Sequence, residues 1–190
     1  MLEIRIHGRG GQGVVTAAEV LSAAAFREGQ FAQAFPSFGS ERMGAPVVAF
    51  CRLDDRPIRL REPITNPNVI VIQDPTLLAS VDVFAGLDDD GWVLINSSRG
   101  FFELGLGEWI SRFRAGRVRC VPATDLARQH LGRPLPGGAL LGGFSALTGM
   151  VRLDSITDAI RARFPGAVGD QNAAAATAAY QLTRTETLAC

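Results

Sequence analysis

The chain has 190 residues, 47% of them apolar, and its 19 basic side chains balance its 19 acidic ones. That is long enough for one domain with a substantial core. Neutrality leaves no electrostatic footprint for nucleic acid, and the apolar content argues against disorder.

Three cysteines, Cys51, Cys120 and Cys190, are scattered without a Cys-x-x-Cys spacing. The chain is therefore not expected to hold an iron–sulfur cluster or a structural zinc by itself, and a reducing compartment fits. Met1-Leu2-Glu3-Ile4-Arg5 opens on a strand pattern rather than a signal peptide. No apolar run approaches the roughly 18 residues a membrane span needs. The expectation is a cytoplasmic protein with neither a membrane nor a nucleic-acid partner.

In chain order, Ile4 to His7 alternates as a strand and stops at Gly8-Arg9-Gly10-Gly11-Gln12-Gly13. Thr16 to Glu28 follows as a helix. Gly8, Gly10 and Gly13 stand at Gly-x-Gly-x-x-Gly spacing, the signature of a strand, tight turn and helix. Glycine permits positive φ and close approach of a ligand or second backbone. The helix start offers unpaired N–H groups that suit a phosphate, and Arg9 adds a full charge. The competing reading is a turn that only packs helix on strand. A dinucleotide site also wants a carboxylate at the end of the second strand. That strand, Gln30 to Phe35, ends in Pro36, and Glu28 falls in the turn before it, so the ribose clamp is absent.

Ser37-Phe38-Gly39-Ser40-Glu41-Arg42-Met43-Gly44-Ala45 is a polar loop, and Pro46 to Leu53 a continuous apolar strand. Asp54-Asp55 reads as a hairpin turn returning through Arg56 to Leu60, an antiparallel pair beside the parallel strands. Val69 to Gln73 has no alternation, as in a strand covered on both faces. Asp74-Pro75 ends it, with a short helix over Thr76 to Val81. Trp92 to Asn96 is the next buried strand, Ser97 to Gly107 a loop, Glu108 to Arg114 a helix and Arg117 to Val121 a strand. The last third is helical. Thr124 caps Asp125 to Leu131, which Gly132 stops; Ala139 to Met150 is rich in small residues; Ser155 caps Ile156 to Phe164; Asp170 begins a segment through Leu182. No repeat or domain break interrupts residues 1–190. The fold class expected is α/β, a three-layer Rossmann-like domain with a mostly parallel sheet, an antiparallel hairpin and a helical C-terminal third.

Open α/β sheets collect ligands beyond the carboxyl ends of their parallel strands. Gly8 to Gly13, Ser37 to Gly44, Asp74 and Asn96 fall there. Arg9 and Arg42 are the positive groups, Ser37, Ser40, Thr16 and Asn96 the neutral donors, and Glu41 can orient Arg42. That set suits an anion better than acid–base chemistry. The alternative for the 37–44 loop is docking on another protein, with Phe38 and Met43 as anchors. Asp74 reads as an N-cap, Asn96 as satisfying a strand end, and His7 as a hydrogen-bonded structural residue. No nucleophile–base set, glycine–lysine–serine phosphate loop or thiamine-diphosphate spacing occurs.

The run Gly8-Arg9-Gly10-Gly11-Gln12-Gly13-Val14 with Thr16-Ala17-Ala18, followed by Pro36-Ser37-Phe38-Gly39-Ser40-Glu41-Arg42-Met43-Gly44, resembles the γ subunit or γ domain of 2-oxoacid:acceptor oxidoreductases of the pyruvate:ferredoxin oxidoreductase type. Pro57-Ile58, Asp74, Asn96-Ser97, Ala123-Thr124 and Leu141-Gly142-Gly143-Phe144 extend the likeness over nearly the whole chain. Met43 departs from it, standing where the family commonly has a second arginine. The resemblance implies a subunit, inactive alone, of a complex that converts a 2-oxoacid and coenzyme A to acyl-CoA and CO2. Ferredoxin or another acceptor takes the electrons. Thiamine diphosphate, Mg2+ and iron–sulfur clusters would reside in α, β and δ-type partner subunits. This chain would help bind coenzyme A and assemble the complex. Its candidate contacts are Gly8, Arg9, Gly10, Gly11, Gln12, Gly13, Ser37, Ser40, Glu41, Arg42 and Asn96. The other reading is a purely architectural subunit whose glycine turn binds nothing.

Overall fold

The computed structural model describes residues 1–37 and 43–185. Six strands, β1 (Leu2–Arg9), β2 (Phe31–Pro36), β3 (Pro46–Asp54), β4 (Val69–Ile72), β5 (Trp92–Asn96) and β6 (Val118–Val121), form one sheet in the order β2-β3-β1-β4-β5-β6. β1, β4, β5 and β6 are parallel; β3 runs antiparallel between β1 and β2. Every residue of β4 is buried. That explains its unbroken β-branched run, since a central strand of a parallel sheet meets side chains on both faces.

The two faces are covered unequally. Ile4, Ile6, Val69, Val71, Leu94 and Val121 pack against α1 (Val14–Arg27), α4 (Gly137–Thr148), α5 (Leu153–Arg163) and α6 (Ala167–Thr185), with the first residue of α3 (Ala123–Leu131) joining them. On the other face, Ile70, Ile72, Val93 and Ile95 meet Leu77, Val83, Leu87, Phe101 and Phe113. These come from a 3-10 turn (Pro75–Ala79) and irregular chain, with the partly buried Trp109 and Ile110 of the one-turn helix α2 (Gly107–Ile110) packed against them. The three layers expected are present, but the second outer layer is thin. Arg5 helps hold it: its buried guanidinium donates to the carbonyl oxygens of Val83 and Ala85 at 3.0 and 2.6 Å.

Helix α4 is apolar all round, the mark of a helix with no solvent face. It is sandwiched between the sheet and α6. A Cβ at Gly143 would stand 3.3 Å from Leu94 and Val121, and one at Gly142 would collide with the backbone of Ala176. Gly142 therefore sets the distance at which α4 and α6 pack, and Gly143 the distance of α4 from the sheet.

Several local expectations are corrected. Arg56 to Leu60 is not a strand. Both edges of β3 are already taken, by β1 and β2, so no vacant edge awaits a returning strand, and Pro57 lacks an N–H to offer. The antiparallel hairpin is β2–β3 instead. Thr124 does not cap α3, which starts at Ala123 after Pro122. Its amide and hydroxyl instead meet the Asn96 side chain, so the cap comes from the neighbouring strand. Ser155 lies inside α5, whose N-cap residue Arg152 donates its N–H to Glu28 at 2.8 Å. That contact also occupies the one carboxylate near a ribose-clamp position. The helix expected over Glu108 to Arg114 is only the single turn α2, and the one over Thr76 to Val81 is the 3-10 turn.

Gly142→Ala is expected to destabilise the chain by about 2 kcal/mol, because the added methyl must push α4 and α6 apart. Urea unfolding followed by circular dichroism measures it, with Gly132→Ala as a control for backbone strain away from this crossing.

Candidate functional site

The chain leaves β1 toward β2 through α1, and leaves β4 in the opposite direction toward β5. The gap between the ends of β1 and β4 is thus the topological switch point, where open sheets leave a crevice. Gly8 to Gly13 forms one wall. Gly11 and Gly13 adopt φ of 89° and 74°, which strains any residue with a Cβ. Gly8 is needed for closeness rather than φ: a Cβ there would stand 2.5 Å from Val14 Cγ2.

Gln12 ties this bend to the end of β4. Its Oε1 accepts from the Arg9 amide at 2.8 Å, and its Nε2 donates to Asp74 Oδ2 at 2.6 Å. Gln73 Nε2 in turn donates to the Gln12 carbonyl, and Asn96 Nδ2 to the Gln73 carbonyl at 2.8 Å. Asp74 is the N-cap expected, with Oδ1 accepting from the Thr76 amide at 3.0 Å and its hydroxyl at 2.6 Å. Burial works against the Asp74 charge, but is outweighed by the hydrogen bonds from Thr76 and Gln12 and by the Arg9 cation, which together hold its carboxyl below the usual range.

Arg9 is in the bend, as expected, but its guanidinium is engaged. It lies 3.4 Å from Asp74, donates to Thr76 Oγ1, and reaches the Gly44 carbonyl at 3.1 Å. Gly44 and Ala45 also stitch to Gly10 through the backbone. Met43 lies over Gly11 yet is 87% exposed. Ser37 extends the β2–β3 ladder by donating to Val48 at 2.8 Å. Ser40, Glu41 and Arg42 lie outside the described residues.

Three cavities surround the bend among the described residues. One of about 340 Å³ is lined by Arg9, Gly10, Gly13, Val14 and Thr16. A second, about 420 Å³, occupies the crevice among Gly10, Gln12, Met43, Asp74 and Asn96. The largest, about 560 Å³, runs from Gly11, Gly13 and Thr16 to Arg133, Gly137 and Asn172. Ser37 lines none of these three. Neither α1, behind Gly13, nor α4, behind Pro136, has a side-chain cap or an acid in its first turn. Two helix starts with uncapped N–H groups thus border the largest cavity, and such groups favour negative charge. Arg133, exposed on its rim, has no ion pair among the described residues. Arg133, Gly137 and Gly138 escaped the sequence reading. The available signal was Pro136-Gly137-Gly138, a second bare helix start.

His7 is structural, but not hydrogen-bonded: neither ring nitrogen has a partner among the described residues. Burial first, and Arg5 second, push its pKa down to about 4. No group of three His, Cys, Asp or Glu side chains able to hold a metal occurs among the described residues, and no described helix is long and apolar enough to cross a membrane.

Fold and crevice together define a doubly wound α/β protein with a Rossmann-like first unit. Residues 3–182 match the family described as pyruvate ferredoxin/flavodoxin oxidoreductase. The chain is 49% identical over 183 residues to the pyruvate/ketoisovalerate oxidoreductases common subunit gamma of Thermococcus kodakarensis, covering 96% of this chain and 97% of that protein. It is 47% identical over 181 residues to pyruvate synthase subunit PorC of Methanothermobacter marburgensis, covering 95% and 97%. The crystal structure of pyruvate oxidoreductase subunit PORC from Thermotoga maritima superposes with a TM-score of 0.79 at 36% identity, covering 95% of each chain. A 2-oxoglutarate:ferredoxin oxidoreductase from Magnetococcus marinus, solved with 2-oxoglutarate, coenzyme A and succinyl-CoA bound, contains the same fold (TM-score 0.72, 16% identity, 97% of this chain and 31% of that one). The chain belongs to the pyruvate ferredoxin/flavodoxin oxidoreductase family, as a γ-type subunit of a multi-subunit oxidoreductase.

The His7 shift sets a pH dependence. The unfolded chain takes up a proton near pH 6.5, while the folded chain refuses it until about pH 4. Stability therefore falls as pH drops through that window, by on the order of 3 kcal/mol. His7→Leu is expected to remove this slope in denaturation midpoints taken between pH 7 and 4.

Proposed function

We propose that this chain is the subunit of a 2-oxoacid:acceptor oxidoreductase complex that receives the phosphates of coenzyme A and seats the ligand against catalytic partners. The reaction of the whole complex is 2-oxoacid plus coenzyme A to acyl-CoA, CO2 and reduced acceptor. Thiamine diphosphate with Mg2+, and iron–sulfur clusters, belong to partner subunits of α, β and δ type. Ferredoxin or another carrier meets the complex, not this chain alone.

The observation that supports the ligand role is the pair of uncapped helix starts, α1 and α4, facing one cavity of about 560 Å³. Backbone N–H groups and aligned peptide dipoles stabilise phosphate without a dedicated lysine. Arg133 supplies the full positive charge that Arg9, paired with Asp74, does not have to spare. The apolar remainder of the cavity wall, including Val20, Leu141 and Ile160, suits the uncharged arm of such a ligand.

Thr16 occupies the third position of α1, where a carboxylate favours the helix but repels a phosphate at its start. In the assembled enzyme, Thr16→Glu is expected to raise the KM for coenzyme A about tenfold or more, with kcat at saturation and complex assembly preserved. An unchanged KM in an intact complex would leave the subunit architectural.

A further inference from the structure

The sheet has two edges, and they differ. β6 is four residues long and carries Arg119. β2 is six residues long, Phe31-Ala32-Gln33-Ala34-Phe35-Pro36, with no charge and no bulge. Proteins blunt open edges with charges, bulges or shortness, because a bare edge pairs with whatever strand it meets.

The direction of the free groups follows from the register. Ser37 N–H donates to Val48 C=O, so Phe31, Gln33 and Phe35 spend their backbone groups on β3. The N–H and C=O groups of Ala32 and Ala34 point away from the sheet, and none of the described residues pairs with them. Ala32 and Ala34 turn their methyls to the core under α1. Phe35 lies on the opposite face with Phe50 and over Arg52.

Phe31 to Phe35 reads the same in both directions. An antiparallel pairing of this strand with itself, centred on Gln33, sets Ala32 opposite Ala34 and Phe31 opposite Phe35, twice each. The outward groups of Ala32 and Ala34 then satisfy one another reciprocally, and no charge meets its like. The aromatic pairs fall at non-hydrogen-bonded positions, where side chains are closest. Gln33 faces its counterpart, and its Oε1 is a buried acceptor without a partner among the described residues. Phe31 is 44% exposed, and Phe26, in the helix turn that feeds the strand, 70%. A two-fold interface must be self-complementary in this way, residue i on j and j on i.

We propose that β2 pairs with β2 of a second copy of this chain across a two-fold axis, joining two six-stranded sheets edge to edge. This goes beyond the coenzyme A reading and does not depend on it.

The test is a cysteine at the axis. In the full-length chain and in the assembled complex, with Cys190→Ser to remove the terminal thiol, Gln33→Cys places two Cα atoms about 4.5 Å apart, within disulfide reach. Mild oxidation is expected to give a reductant-sensitive dimer of this chain on denaturing gels. Arg119→Cys on the other edge is expected to give none. Adding Ala34→Pro removes only an outward N–H, so it keeps the fold and is expected to cut the dimer yield about tenfold. No dimer from Gln33→Cys, a crosslink to a different subunit, equal yield from Arg119→Cys, or indifference to Ala34→Pro would each overturn the proposal.

Discussion

The crevice depends on one amide. Gln12 holds the Arg9 backbone on one side and Asp74 on the other, while its own carbonyl receives Gln73. A glycine-rich bend has a large backbone entropy to lose, and its glycines carry no side chain to fix it. The Gln12 bonds, made in a partly buried setting, fix it by joining the Arg9 amide within the bend to Asp74 beyond β4. The start of α1 consequently borders the cavities beside the bend. Asn96 extends the same logic by joining the end of β4 to the start of α3.

Packing of the helices on one face gives the site its second half. α4 runs between the sheet and α6 because its glycines allow backbones to approach. That burial fixes the position of its first turn beside α1, across the cavity. Arg9 shows the cost of the arrangement. Its charge stabilises Asp74 and the strand connection, so the positive potential of the cavity falls to peptide dipoles and to Arg133, exposed on the rim.

Strands β1, β4 and β5 were legible because each carries a pattern that only its final neighbours can satisfy: alternation for β1, unbroken apolar runs for β4 and β5. The glycine bend and the Asp74 cap were legible because they are local, decided by φ and by a carboxylate two residues from an amide. What failed was non-local. Whether Arg56 to Leu60 could pair depended on β1 having already taken that edge of β3, a contact set by residues some fifty positions earlier. Thr124 looked like a cap until Asn96 supplied one from another strand. Arg133 and Gly137 lie more than a hundred residues from the bend they face, and no periodicity links them. The family resemblance carried the class of protein correctly, while the roles of individual loop residues within it rest on the proposed ligand.

Unequal covering of the sheet has a consequence for how the chain breathes. On one side, long helices bury their amides in continuous ladders. On the other, the apolar layer over Ile70, Ile72, Val93 and Ile95 is held by single turns, loops and the two carbonyl bonds of Arg5. Segments with short ladders open at lower free energy than the global transition. The segments 76–91 and 97–113, on either side of β5, should therefore trade their amide protons for deuterium well before α4 and α6, loosening from the sheet while β5 and the helical side stay closed.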